Sequence, residues 1–211
     1  SISESIGNLT HLVRLHLGGN QLEGEIPDEI YSLSGLQYLW LWGNELTGSI
    51  SNDIGYLSNL KGLALGGNQL EGEIPESLYS LTNLEWLWLE HNHLSGSISE
   101  NIINLYNLIE LHLEGNEFSG WIPISICDLN IMWNGQNEWG HDNINFSNNN
   151  FCPPFPECIE DYIENQDSSE CFEIGDINQD GLFNILDVTL LVAIIMDDGE
   201  YDLSGDINGD G

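Results

Sequence analysis

Residues 9–26 read LTHLVRLHLGGNQLEGEI, and this stretch is the first copy of a pattern that recurs along the chain. Its frame, L-x-x-L-x-x-L-x-L-x-x-N-x-L-x-G-x-I, returns every 24 residues, with its asparagine at Asn20, Asn44, Asn68, Asn92 and Asn116. A sixth copy follows an insertion at 134–142 and contributes Ile144, Phe146, Asn149 and Phe151. The period predicts a solenoid, because no single coil can bury its own leucines.

The spacing also predicts the structure within each coil. Successive side chains of a strand point to opposite faces, so the L-x-L pair places both leucines inward on a short strand. Stacked coils then join these strands into a parallel sheet. We expect the repeated asparagine to turn inward and bond neighbouring backbone groups. The glycine four residues later, as at Gly24 and Gly48, suits a turn with positive φ.

This frame resembles the leucine-rich repeat family, and G-x-I-P at 24–27, 72–75 and 120–123 resembles its plant-type subclass. The resemblance extends to about residue 158 and implies a right-handed α/β solenoid domain at 1–151. Parallel strands would line its concave face, with short or 3₁₀ helices outside. Two copies depart from the pattern, since Ser51 and Ser99 replace the proline.

The outward strand positions predict what the concave face presents to a ligand. The candidate binding residues are Tyr38, Trp40, Trp42, Gly62, Ala64, Gly66, Trp86, Trp88, Glu90, Glu110, His112 and Glu114. Strands of a sheet lie about 4.8 Å apart, so two aromatic walls would stand on the order of 10 Å apart over a floor of small residues. Tryptophans that merely stack on neighbouring coils are the alternative, but exposed aromatic patches favour binding.

Several ligands and roles fit this predicted cleft. Glutamates beside Trp86 and Trp88 suit a basic peptide or protein, which ranks first. The alternatives are a glycan, whose C–H faces suit flat rings, an inhibitor of wall-degrading enzymes, which the family resemblance allows, and a purely structural adhesive solenoid. His112 between Glu110 and Glu114 could bind a metal or act as a general base. No recognisable catalytic arrangement accompanies it, so we expect no enzyme.

Charge narrows the partners further. The chain has two Lys+Arg against 35 Asp+Glu, a formal net charge of -33. Such a field repels nucleic acids and anionic membranes. The longest apolar run, VTLLVAIIM at 188–196, is too short to span a bilayer.

The cysteines indicate an oxidising compartment. Cys127, Cys152, Cys158 and Cys171 cluster late in the chain, which favours disulfides. A zinc site is the competing interpretation but lacks paired C-x2-C spacing, and three disulfide connectivities remain open. Residues 152–173 predict a Cys/Pro-rich cap over the last coil, with a linker beginning near residue 164. We expect an extracellular or secreted protein, with attachment to a cell surface as an option.

The C-terminal segment predicts calcium binding. GDINQDGLFNILD at 175–187 places oxygen ligands at EF-hand-like spacing, and GDINGDG at 205–211 begins a second loop. The ligands would be Asp176, Asn178, Asp180, the Leu182 carbonyl, Asn184 and Asp187, followed by Asp206, Asn208 and Asp210. Residues 174–211 resemble a dockerin type I module, which implies a small helical Ca²⁺-bound domain and a cohesin-like scaffold partner. Ile185 and Leu186 depart from the polar residues that dockerins often use for recognition.

Overall fold

A computed structural model of the chain describes residues 1–131, 135, 142–169 and 171. The chain divides into two compact units, Ser1–Ser169 and Glu170–Gly211. The fold described below is that of the first unit. The predicted calcium ligands and the dockerin-like module at 174–211 lie outside the described residues.

Twelve short strands in the described residues form two parallel sheets of six strands each. The strands are β1 Arg14–His16, β2 Glu23–Glu25, β3 Tyr38–Trp40, β4 Glu45–Gly48, β5 Gly62–Ala64, β6 Gln69–Glu73, β7 Trp86–Trp88, β8 His93–Gly96, β9 Glu110–His112, β10 Glu117–Gly120, β11 Ile144–Asn145 and β12 Asn150–Phe151. The odd-numbered strands form the first sheet in chain order, as the L-x-L spacing predicts. The parallel solenoid is therefore confirmed.

The second sheet was not predicted. Its even-numbered strands follow the asparagine turn of each coil, and Glu23 pairs with Glu45 as Gly24 pairs with Leu46. These segments are short and rich in polar residues and glycine, which have low strand propensity. Most carry a single buried apolar residue, such as Leu46 or Phe118, and one apolar position does not distinguish a strand from a turn.

Short 3₁₀ helices occupy the remaining part of each coil. They are Glu4–Asn8, Asp28–Ser32, Asn52–Tyr56, Glu76–Ser80, Glu100–Asn104, Ile124–Asp128 and Glu157–Tyr162. The predicted helices are thus confirmed as 3₁₀.

The two serines that replace proline have a structural reason. The Ser99 hydroxyl accepts from the Asn101 amide at 3.2 Å and so caps the helix. Its backbone N–H donates to the hydroxyl of the buried Tyr79 at 3.5 Å. Proline has no N–H and could not make that bond. The Ser51 hydroxyl likewise accepts from the Asp53 amide at 3.2 Å and caps its helix.

The predicted asparagine ladder is confirmed. Asn68 is buried, and its Nδ2 donates to the carbonyls of Leu65 at 2.8 Å and Leu41 at 3.1 Å. Its Oδ1 accepts from the Leu46 amide at 3.1 Å. One side chain therefore satisfies backbone groups of two coils, which keeps the interior free of unpaired polar groups. The predicted positive φ of the repeated glycine is also found, as at Gly24 with +84°.

The segment after Cys152 packs on the last coil. Phe146 donates its backbone N–H to the Tyr162 carbonyl at 2.8 Å, and Ile159 and Ile163 are buried. Beyond the last coil, Gln166 makes the hydrogen bonds that the repeated asparagine makes in the other coils. Its Oε1 accepts from the Phe151 amide at 3.1 Å and its Nε2 donates to the Phe146 carbonyl at 3.0 Å.

One sequence expectation changes here, and one open alternative is decided. The predicted start of the linker at residue 164 is too early, because the backbones of Glu164 and Asp167 still form hydrogen bonds with the last coil. The disulfide interpretation is confirmed over zinc. Cys127 bonds Cys158, and the remaining cysteines are disulfide-bonded as well.

Candidate functional site

The concave sheet carries a pocket of about 410 Å³. It is lined by Arg14, Tyr38, Trp40, Ala64, Trp86, Trp88 and Glu110. These residues come from strands β1, β3, β5, β7 and β9, which are neighbours in the sheet. The sheet register places Ala64 between Trp40 and Trp88, and Gly62 between Tyr38 and Trp86. Two aromatic coils therefore stand on either side of a coil with small side chains.

The cleft is narrower than the sequence predicts beside Gly62. The rings of Tyr38 and Trp86 approach to 6.2 Å between centroids, not the expected separation near 10 Å. A Cβ atom on Gly62 would lie 3.1 Å from Tyr38 Cδ1 and 3.5 Å from Trp86 Cε3. Because glycine offers no side chain to hold the rings apart, they lean together above it. Ala64, on the same strand, lines the pocket, whereas Gly62 does not.

Six predicted positions do not line the pocket, namely Trp42, Gly62, Gly66, Glu90, His112 and Glu114. The Trp42 indole lies over Gly18 of the preceding coil, where an added Cβ would be 2.6 Å from Trp42 Cε2. Gly66 is buried beneath the Glu90 carboxylate, with which an added Cβ would collide. Neither Trp42 nor Gly66 lines the pocket. The strand register predicts which face of the sheet a side chain lies on. The direction in which the side chain leans depends on which neighbouring positions are glycine and leave room for it.

One end of the pocket is basic. The Arg14 guanidinium lies 4.9 Å from the centroid of the Tyr38 ring, in a cation–π arrangement. Arg14 is a pocket residue that the set of candidates omitted. Its position on β1, in register with Tyr38, was the signal that could have found it.

The other end is acidic. Glu110 lines the pocket although its residue surface is only 5% exposed. His112 lies between two glutamates, with Nε2 3.7 Å from Glu110 Oε2 and Nδ1 3.7 Å from Glu114 Oε2. Its ring also meets the Trp88 ring edge-on at 6.1 Å.

Burial and charge shift the protonation of this acidic group. Burial lowers the pKa of His112, but the ion pairs with Glu110 and Glu114 outweigh it and raise the pKa to about 9. Burial raises the pKa of Glu90 to about 7, against a hydrogen bond to its own backbone. Glu90 Oε2 is buried and has no hydrogen-bond partner among the described residues.

The chemistry of these residues suits binding. Within the described residues, no group of three or more histidines, cysteines or carboxylates is arranged to hold a metal ion. His112 and its glutamates are therefore an ion-paired cluster beside an aromatic pocket. Across the same part of the chain, no helix has the length and apolar character that a membrane crossing needs.

Comparison with known families identifies the repeat. The family model described as Leucine Rich Repeat matches residues 11–33, 35–57, 59–81, 83–105 and 107–129. These matches span more than half of the sequence, so the chain belongs to the leucine-rich repeat family. A comparison with curated proteins found no match.

Solved structures of plant proteins share the fold. One is the ectodomain of the Arabidopsis thaliana receptor kinase GASSHO1/SCHENGEN3 in complex with CASPARIAN STRIP INTEGRITY FACTOR 2, with 32% identity and a TM-score of 0.68 over 78% of this chain and 19% of that chain. Another is the plant peptide hormone receptor RGFR1 in complex with RGF2, with 31% identity and a TM-score of 0.69 over 78% of this chain and 26% of that chain.

A plant ice-binding protein is similar as well, with 25% identity and a TM-score of 0.63 over 79% of this chain and 52% of that chain. The chain spans only a fifth to a quarter of the two receptor chains. Because neighbours of one fold bind such different ligands, the ligand of this chain must be argued from its own side chains.

Proposed function

We propose that the chain is a non-catalytic recognition protein that binds a peptide or protein in the aromatic cleft of its concave face, outside the cell. The observation that carries this proposal is the pocket of about 410 Å³ between Trp40 and Trp88. That volume lies within the range of about 300–1,000 Å³ that is typical of ligand pockets.

The walls of the pocket favour binding over a structural role. Tyr38, Trp40, Trp86 and Trp88 are half-buried, and each keeps part of its surface available on the concave side. Tyrosine and tryptophan contribute large contact areas at low entropic cost, and they dominate the energetics of protein interfaces. Their strands are held by the ladder beneath them, so the site needs little ordering when a ligand binds.

The neighbours favour a peptide among the ligand classes. Two of the similar structures are plant receptors in complex with a named factor and a peptide hormone partner. Ligand binding outside the cell also agrees with the disulfide-bonded cysteines of this chain.

A displayed library of random peptides, selected on the immobilised protein, tests the proposal. The affinities of enriched peptides are then measured for the wild type, Trp40→Ala and Trp88→Ala, with Tyr56→Ala as control because Tyr56 is exposed outside the cleft. We expect each tryptophan variant to lose about tenfold or more in affinity, as hot-spot tryptophans do, while the control retains binding.

The selection has clear adverse outcomes. Peptides that bind both tryptophan variants as well as the wild type would place the site elsewhere. If the library yields no binder while a neutral oligosaccharide binds in a Trp88-dependent manner, the ligand is a glycan. If neither binds, the solenoid is structural.

We also propose that residues 174–211 bind Ca²⁺ and attach the protein to a scaffold. The support is the loop spacing that begins at Asp176, since these residues lie outside the described part of the chain. Calorimetric titration with Ca²⁺ should show binding that Asp176→Ala removes and the exposed control Asp128→Asn leaves intact. Absence of heat in the wild type would overturn the calcium assignment, and failure to bind a cohesin panel would overturn the scaffold role.

A further inference from the structure

The positive charges of the chain are few and already engaged. Arg14 and Lys61 are its two cationic Lys or Arg residues. Arg14 lies over the Tyr38 ring, and Lys61 Nζ is 3.0 Å from Glu85 Oε1. Neither of these contacts involves the acidic end of the pocket.

The acidic end of the pocket is formed by Glu110. His112 lies 3.7 Å from a carboxylate oxygen of Glu110 and 3.7 Å from one of Glu114, outside the pocket lining. A carboxylate accepts several hydrogen bonds, so Glu110 can accept from a ligand while it stays paired with His112. A ligand that brings a positive group suits this end.

The pocket has the shape for one such group. The pocket is lined by Ala64 and by the indoles of Trp40 and Trp88, and Glu110, in register with Trp86, lines it on the β9 side. A planar guanidinium stacks on aromatic faces while its N–H groups reach a carboxylate. Arg14 on Tyr38 shows this stacking on one wall of the same cleft.

We propose that the cleft binds an arginine side chain of an extended peptide, with the side chain over Ala64 between Trp40 and Trp88 and the guanidinium directed at Glu110. This assignment rests on the function proposed above and names the chemistry that the site selects. Arg14 at the opposite end repels a second guanidinium, so it fixes the direction in which the arginine enters. The overall charge of -33 favours the same class of ligand by attracting cationic peptides.

A pair of synthetic peptides tests the inference directly. The probes are acetyl-Gly-Gly-Arg-Gly-Gly-amide and its citrulline counterpart, which has nearly the same shape without the charge. Tryptophan fluorescence or calorimetry reports their affinities for the intact chain. We expect the arginine peptide to bind about tenfold or more tightly than the citrulline peptide, and its affinity to fall as NaCl rises from about 50 to about 500 mM.

Protein variants locate the contact. Glu110→Gln is expected to weaken the arginine peptide by about fivefold or more, whereas Arg14→Gln removes a like charge and should tighten it. The matched control is Glu45→Gln, the same substitution at an exposed residue of β4. Thermal unfolding of each variant shows whether the fold is retained, and the citrulline comparison holds even if Glu110→Gln unfolds.

Equal affinity for the two peptides, no measurable binding of either, or an unchanged affinity in folded Glu110→Gln would overturn the inference. The function proposed above fails separately. Library peptides that depend on Trp88 but tolerate citrulline would contradict the arginine site alone, whereas the absence of any Trp88-dependent ligand would contradict both.

Discussion

At the scale of single residues, the buried asparagines show how the solenoid holds its coils in register. Asn68 donates to the carbonyls of Leu41, Leu65 and Gly66 and accepts from one amide, and these groups belong to successive coils. Asn20 has a different environment, because it is exposed and its Nδ2 donates only to Leu17 and Gly18 of its own coil. The same residue type therefore has two different energetic roles.

We predict that Asn68→Ala lowers the free energy of unfolding by about 1–3 kcal/mol, because the buried Leu46 N–H loses its acceptor while the carbonyls of Leu41 and Leu65 keep Asn44 and Asn92 as donors. Asn20→Ala should cost under about 1 kcal/mol, since water can replace its bonds. Urea unfolding of the two variants measures both values. Equal losses would show that the ladder does not depend on burial.

Glu90 gives a prediction for pH. Its pKa is about 7 in the folded chain against 4.5 as the ordinary value, because burial disfavours its charge. Between pH 4.5 and 7 the folded state therefore holds more protons than the unfolded state, so stability falls as pH rises through this window. The pKa of His112, raised from 6.5 to about 9, continues the fall between those values.

We predict that Glu90→Gln flattens the lower part of this profile and increases stability at pH 8 by on the order of 2 kcal/mol relative to the wild type. Thermal unfolding between pH 4 and 9, compared with the exposed control Glu71→Gln, provides the measurement. If the stability of Glu90→Gln depends on pH in the same way as that of the wild type, the raised pKa of Glu90 is contradicted.

At the scale of elements, the sequence predicts the first sheet, the helices and the cap, because each has a pattern of apolar residues or prolines. The even-numbered strands give only a weak signal, since most of their residues are polar and none of these strands has more than one buried apolar residue. The aromatic coils are predictable from register, whereas the closure of Tyr38 on Trp86 is not. It depends on the empty volume above Gly62, which no local pattern encodes.

The cap supplies a prediction at this scale. Gln166 satisfies the Phe151 amide and the Phe146 carbonyl, so Gln166→Ala should destabilise the last coil by about 1 kcal/mol and speed amide exchange at Phe151. The control is Gln69→Ala, an exposed position on β6. Exchange at Phe151 that is the same in both variants would mean that Gln166 does not extend the ladder.

At the scale of the whole molecule, charge is the dominant feature. A net charge of -33 on 211 residues repels itself more strongly in the compact state than in the expanded chain. We predict that raising NaCl from about 10 to about 150 mM raises the thermal midpoint by several degrees, because the Debye length shortens to about 8 Å. Sucrose at equal osmolarity serves as the uncharged control. A midpoint that falls with salt would contradict the repulsion.

The central claim is that the aromatic cleft binds the ligand, and the indole N–H resonances of ¹⁵N-labelled tryptophans test it most directly. Peptide enriched by the library is titrated into the protein, with each resonance assigned by a Trp→Phe variant. We predict that the signals of Trp40, Trp86 and Trp88 shift, while that of Trp121, exposed outside the cleft, does not. A shift confined to Trp121, with the three cleft indoles unmoved, would contradict the account.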